Sequence, residues 1–182
     1  TLEGNDRYHL APTSALAIWT APPGPGELAE AMRRTRPQKV YLFAVDPGLD
    51  APLAFLQRLA GLIKYAWRTQ DGRMRLSALA AATAQREATV RAGIAWLAAR
   101  GDLRIVRQED DVIEVQPATD ASRLQPPLGQ LAAFLEEAAA YRSYLREAPL
   151  EIVEEAMIQM IAERLEHDRS RQRGSEDASA SF

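Results

Sequence analysis

Residues 76–85 read LSALAAATAQ, residues 86–101 read REATVRAGIAWLAARG, and residues 102–116 read DLRIVRQEDDVIEVQ. Their order decides the fold class. A short apolar helix breaks near Thr83, Ala84 and Gln85, and a longer helix runs to Gly101. Two β-branched runs, 103–106 and 112–115, flank the polar tip Gln108-Glu109-Asp110-Asp111. Helix, turn, helix, hairpin is the order of a winged helix-turn-helix. Gly101 suits the positive φ that follows a helix end, with Arg100 in the last turn favouring the dipole. Val90, Ile94 and Leu97 recur at helical spacing and predict the buried face of the second helix.

Arg86, Thr89 and Arg91 fall off that stripe near the helix start, where a recognition helix meets base edges and phosphates. Arg73 and Arg75 stand at the entrance to the preceding helix, within reach of a phosphate. These five residues form the expected nucleic-acid set. Three features weigh against a standard DNA reader. The wing tip is acidic and would be repelled by phosphates. The second helix is rich in alanine, and Arg86 is a poor N-cap. A winged helix serves as a protein-contact module as readily as a DNA reader.

Toward the N-terminus, residues 1–14 read as a linker, and a chain beginning at Thr1 rather than Met reads as part of something longer. Ala15–Thr20 (ALAIWT) and Lys39–Val45 (KVYLFAV) are strand-like, with a short helix over 27–34 between them. Short connections predict a parallel right-handed βαβ unit over 15–49. The Pro-Pro-Gly-Pro-Gly turn is not a phosphate loop. It lacks Gly-x-Gly-x-x-Gly and Gly-Lys-Ser/Thr, and its prolines have no N–H to offer an anion. Arg33, Arg34, Arg36 and Lys39 make the densest basic cluster. It is either a solvated helix end or a rim for an acidic partner, with Met32 as its apolar wall and Pro37 restricting Arg36.

An amphipathic helix over 50–70 carries Leu53, Leu56, Leu59 or Ala60, Ile63 and Trp67, and completes a winged unit over 50–116. Trp67 is expected in the core, and Trp96 against the βαβ unit. A proline-bearing connector (117–127) leads to a helical hairpin (128–168). Leu131, Phe134, Leu135, Ala138, Tyr141 and Leu145 line its first helix, and Val153, Met157, Met160, Ile161 and Leu165 its second. Residues 169–182 are polar and predict a mobile tail. The class is therefore α+β.

The formal net charge is -3 at pH 7, with the basic excess in the winged segment and the acidic excess beyond it. The chain has no cysteine, which removes disulfides, thiolate ligands and a cysteine nucleophile together. No apolar run is long enough to span a membrane and no signal peptide is visible, so a cytoplasmic location is expected. His9 and His167 stand apart, without a metal-ligand or triad spacing, and no serine lies in a nucleophile elbow. No catalytic and no metal-binding residue is assigned, and an enzyme is not expected.

The order of apolar strand, Pro-Pro turn, Glu-Leu helix, Arg-Pro and KVYLF strand, followed by AFLQRLAGLIKYA and RLSALAAATAQREATVRAGIAWLAARGDLRI, resembles the C-terminal region of bacterial RecJ proteins. The resemblance covers roughly residues 15–116 and lies in element order and apolar pattern. It implies the accessory part of a 5′-to-3′ single-stranded-DNA exonuclease of recombination and repair. The family's Asp-His-His core, with its manganese or magnesium, would precede Thr1, so no cofactor is expected here. Weak single-stranded DNA binding and recruitment of the single-stranded-DNA-binding protein through its acidic tail are the implied partners, with no membrane and no small-molecule substrate. The alternatives are a winged-helix transcriptional regulator and a structural protein-interaction adaptor.

Overall fold

The computed structural model describes residues 4–118 and 125–179. Eleven elements follow in order: β1 (Ala15–Thr20), α1 (Pro25–Thr35), β2 (Lys39–Val45), α2 (Pro52–Thr69), β3 (Arg73–Arg75), α3 (Leu76–Thr83), α4 (Glu87–Arg100), β4 (Leu103–Glu109), β5 (Val112–Pro117), α5 (Gly129–Glu147) and α6 (Pro149–Ser179). The fold is α+β, with β1 and β2 in a two-stranded parallel sheet and β3, β5 and β4 in a three-stranded antiparallel one. The β4–β5 hairpin and the parallel βαβ pairing are as the alternation predicts.

One core lies between α2, α3, α4 and the inner face of the antiparallel sheet. Phe55, Leu59, Ile63, Leu76, Val90, Ile94, Leu97, Ile113 and Val115 are all buried there. Gly93 lets α2 and α4 close. A methyl group at that point would meet the side chains of Phe55 and Leu59. One expected core position, Leu53, is corrected, and a residue not expected there, Phe55, takes its place. Leu53 is 70% exposed and Phe55 is fully buried, because the helix begins at Pro52 and turns residue 53 to solvent. Trp67 is half-buried at the edge of this core and donates its Nε1–H to the Val115 carbonyl (3.0 Å).

Two helix ends explain the break between α3 and α4. Ala84 takes a left-handed conformation after α3, and Gly101 does so after α4. At Gly101 the Asp102 N–H returns to the Leu97 carbonyl and the Gly101 N–H to the Ala98 carbonyl, a paired closure that satisfies two orphan acceptors. The α3 N-terminus has no cap of its own. Asp111 supplies it from the hairpin tip, accepting from the Ser77 N–H (2.7 Å) and the Ser77 hydroxyl (2.8 Å). The acidic tip is thus a helix cap.

A second core sits under the parallel sheet, from Leu16, Ala21, Leu28, Met32, Leu145, Ile152 and Ala156. Helix α5 spans both cores. Leu131 and Leu135 enter the first and Leu145 the second. The two helices of the expected hairpin are α5 and α6, and α6 packs chiefly on α1 and more lightly on α5. Val153, Met157 and Met160 are half-buried, but Ile161 faces solvent, and Leu165 lies outside the described residues. Residues 169–179 continue α6 as helix where a mobile tail was expected. Trp96 is corrected too. It packs on the first core, donates to the Pro126 carbonyl (3.0 Å) and carries Arg100 on its ring, away from the βαβ unit.

Candidate nucleic-acid interface

The start of α4 is braced by ion pairs. Arg86 lies between Glu137 of α5 (2.8 Å) and Glu27 of α1 (3.4 Å), and donates to the Pro23 carbonyl (3.3 Å). Burial alone would lower its pKa, but the two carboxylates outweigh that and hold the guanidinium above its usual value. Thr89 is 1% exposed, so its expected place off the apolar stripe is corrected to a place in the core. Arg91 reaches sideways and donates to the Asp110 carbonyl (2.6 Å), clipping the hairpin tip to α4. The exposed positions of α4 include Ala88, Ala95 and Ala99, which have no side-chain donor. Of the three expected positions on this helix, Arg86 is ion-paired, Thr89 is buried and Arg91 is bonded to the hairpin tip.

Arg73 and Arg75 are exposed at the entrance to α3, as expected, and they lie there on a short strand, with Arg75 at the N-cap position of α3. A three-residue strand is too short for alternation to reveal it. Its register places Arg73 opposite Glu114, and Glu114 is in turn opposite Arg107 of β4. Arg104 is paired with Gln116 two residues along β5, and donates to it (2.9 Å). Side chains two apart share a face. Arg73, Arg75, Arg104 and Arg107 therefore lie together on the outer face of the antiparallel sheet, while Met74, Ile113 and Val115 point inward. Arg75 pairs loosely with Asp111 (3.6 Å) and Arg107 with Glu109 (2.7 Å). Arg73 has no ion-pair partner among the described residues. Arg104 and Arg107 were missed because they lie in a run read only for its β-branched residues; their register against Arg73 could have been drawn once β3 was recognised.

The basic cluster on α1 is partly consumed. Arg33 and Arg34 both pair with Glu30, and Arg34 also holds the Tyr8 carbonyl (3.0 Å). The Arg34 guanidinium bonded to Glu30 holds that carboxyl below the usual range, with Arg33 adding to the effect. Met32, the expected apolar wall, is fully buried in the second core. Arg36 is exposed in a left-handed conformation that closes α1, not the extended one a following proline favours. Arg36 and Lys39 are left facing solvent.

A third surface had no sequence reading. On the outer face of the parallel sheet Trp19 is 65% exposed, Tyr41 53% and Phe43 57%. The pairing slips between Ile18 and Thr20, so that Phe43 and Ala44 together oppose Trp19. The bulge brings the Trp19 and Phe43 rings to 5.1 Å between centroids, tilted by 40°. The signal was present in the alternation of KVYLFAV, which puts Lys39, Tyr41, Phe43 and Val45 on one side.

Among the described residues no group of three His, Asp or Glu converges as a metal site would, so these residues do not fit the manganese or magnesium of the RecJ resemblance. His9 is exposed and, among the described residues, bonds Asp6, three residues away. No helix of the described residues is long and apolar enough to cross a membrane. Comparison with protein-family models, with curated proteins and with solved structures gives no match for this chain.

Proposed function

We propose that the chain is a non-catalytic C-terminal accessory domain of a RecJ-like single-stranded-DNA exonuclease, and that it holds single-stranded DNA on the outer face of its antiparallel sheet. The likeness of residues 15–116 to that family supports the setting. The order α2, β3, α3, α4, β4, β5 supports a winged-helix reading of the central unit. The observation that carries the DNA contact is the arginine row: Arg73 and Arg107 flank Glu114 in register, with Arg75 and Arg104 on the same face. Phosphates are neutralised there without a recognition helix. Glu109, Asp111 and Glu114 dilute the charge, so binding is weak and salt-sensitive.

A transcriptional regulator reading fits less well, because the helix that would enter a major groove starts inside the Arg86–Glu27–Glu137 cluster. Recruitment of an acidic protein tail by the α1 arginines is weakened by their pairing with Glu30. The test is fluorescence anisotropy with a labelled thymidine oligomer over a salt series. Arg73→Ala with Arg107→Ala should weaken binding about tenfold and flatten the salt slope by about 1.4 units, at ~0.7 for each of the two phosphates lost. Unchanged binding would move the DNA off this sheet. No binding by the parent chain at low salt favours a structural adaptor.

A further inference from the structure

A two-stranded parallel sheet with one face open to water is unusual, because parallel sheets are ordinarily covered on both sides. Here the open face carries Trp19, Tyr41 and Phe43 in a contiguous stripe. Three partly exposed rings of roughly 200 Å² each present well under the ~800 Å² that each partner contributes to a stable protein interface. A second copy or a folded partner would gain little from so small a patch. A planar ligand gains its full stacking area.

The charges around the stripe narrow the ligand further. Lys39 lies on the same face of β2, two residues from Tyr41, and Arg36 precedes it. At the other end Arg58 of α2 is exposed and lines one cleft with Thr20 and Val45. None of these three cations has an ion-pair partner among the described residues. Asp46, the nearby acid, is paired with Arg146 (3.1 Å). Rings in a row with free cations at both ends fit a strand of stacked bases joined by phosphates.

We propose that the outer face of β1 and β2 is a stacking platform for unpaired bases, with Trp19, Tyr41 and Phe43 taking the bases and Lys39 and Arg58 the flanking phosphates. The platform rests on the proposed single-stranded DNA contact and assigns it a second surface, distinct from the sheet arginines. Stacking is tolerant of sequence and requires bases, whereas the arginine face binds through phosphates alone.

The two surfaces separate in a comparison of a labelled thymidine oligomer with an abasic oligomer of the same length. The parent chain should bind the thymidine strand about tenfold more tightly, and that strand should quench tryptophan fluorescence. Trp19→Ala with Phe43→Ala should erase the preference and leave abasic binding unchanged, with an unaltered circular dichroism spectrum. Equal binding of both oligomers by the parent chain overturns the platform but spares the arginine face. A preference retained in the double variant does the same. Absence of binding to either strand removes the platform and the DNA reading together. A parent dimer in sedimentation that the double variant abolishes would assign the stripe to a second copy instead.

Discussion

Arg142, in the middle of α5, donates to the carboxylate of Asp50 just ahead of α2. The same guanidinium donates to the Ala21 carbonyl after β1 (3.1 Å) and to the Ala84 carbonyl between α3 and α4. Gln85 adds a bond to Asp50 (2.8 Å). One side chain that is 1% exposed therefore ties the parallel sheet, the α2 entrance and the helical turn to α5. Burial pulls its pKa below the usual arginine value, while Asp50 and Asp46 pull the other way. An arginine remains charged under such conditions, so its partners are obligatory.

Arg142→Met should cost about 3–5 kcal/mol, because it strands a largely buried Asp50 and two carbonyls. Adding Asp50→Ala should recover part of that loss. Urea unfolding of the two single variants and the double variant gives the coupling. Additive losses would show that the two groups do not depend on each other.

Arg86→Ala should lower stability by about 1–2 kcal/mol, since Glu27 is largely buried while Glu137 remains half in water. Its effect on the affinity for single-stranded DNA should stay within about twofold. A large loss of DNA binding with unchanged stability would restore the start of α4 as a nucleic-acid contact.

Gly72 has a φ of 78°, and a side chain there would run into the Val115 carbonyl and the Trp67 ring. That carbonyl already accepts from Trp67 Nε1 (3.0 Å), while the Gly72 carbonyl accepts from the Val115 N–H (3.0 Å). Gly72→Ala should therefore destabilise by about 2–4 kcal/mol, combining left-handed strain with loss of the β3–β5 junction. Thermal unfolding reads this directly. A neutral substitution would contradict the close approach.

Tyr141 is half-buried, and its hydroxyl has no hydrogen-bond partner among the described residues. Burial, with Glu27 and Tyr144 adding, pushes its pKa up from 10.0 to about 12. The folded pKa is raised, so this stability contribution is whole below pH 10 and is lost as the pH climbs toward about 12. Tyr141→Phe should stabilise by about 0.5–1 kcal/mol at neutral pH, by removing a desolvated hydroxyl, and should flatten the alkaline decline. A destabilised variant at neutral pH would reveal a partner for the hydroxyl.

Strands β1, β2, β4 and β5 were legible because each alternates or carries β-branched runs between turn residues, and α4 because a stripe runs from Val90 to Leu97 above Gly101. The Arg-Met-Arg strand was not, since three residues offer no period and only the pairing with Glu114 and Val112 makes them a strand. The candidate site was less legible than the fold. Arg86 and Thr89 stand where a recognition helix meets DNA, but Glu137 of α5 reaches Arg86 from far along the chain and Thr89 is buried, neither of which a local pattern reports. Arg142 carried a usable signal: it falls on the 131, 135, 138, 142, 145 stripe, where an arginine has to be buried with partners.

The proposed function places single-stranded DNA on the antiparallel sheet and not at the start of α4. Backbone amide shifts during titration with a thymidine oligomer distinguish the two placements. The expected perturbations fall on Arg73, Arg75, Arg104, Arg107 and Glu114, besides those at Trp19, Tyr41 and Phe43, with residues 86–91 unmoved. Perturbations centred on residues 86–91, with the sheet arginines silent, would contradict the placement on the sheet.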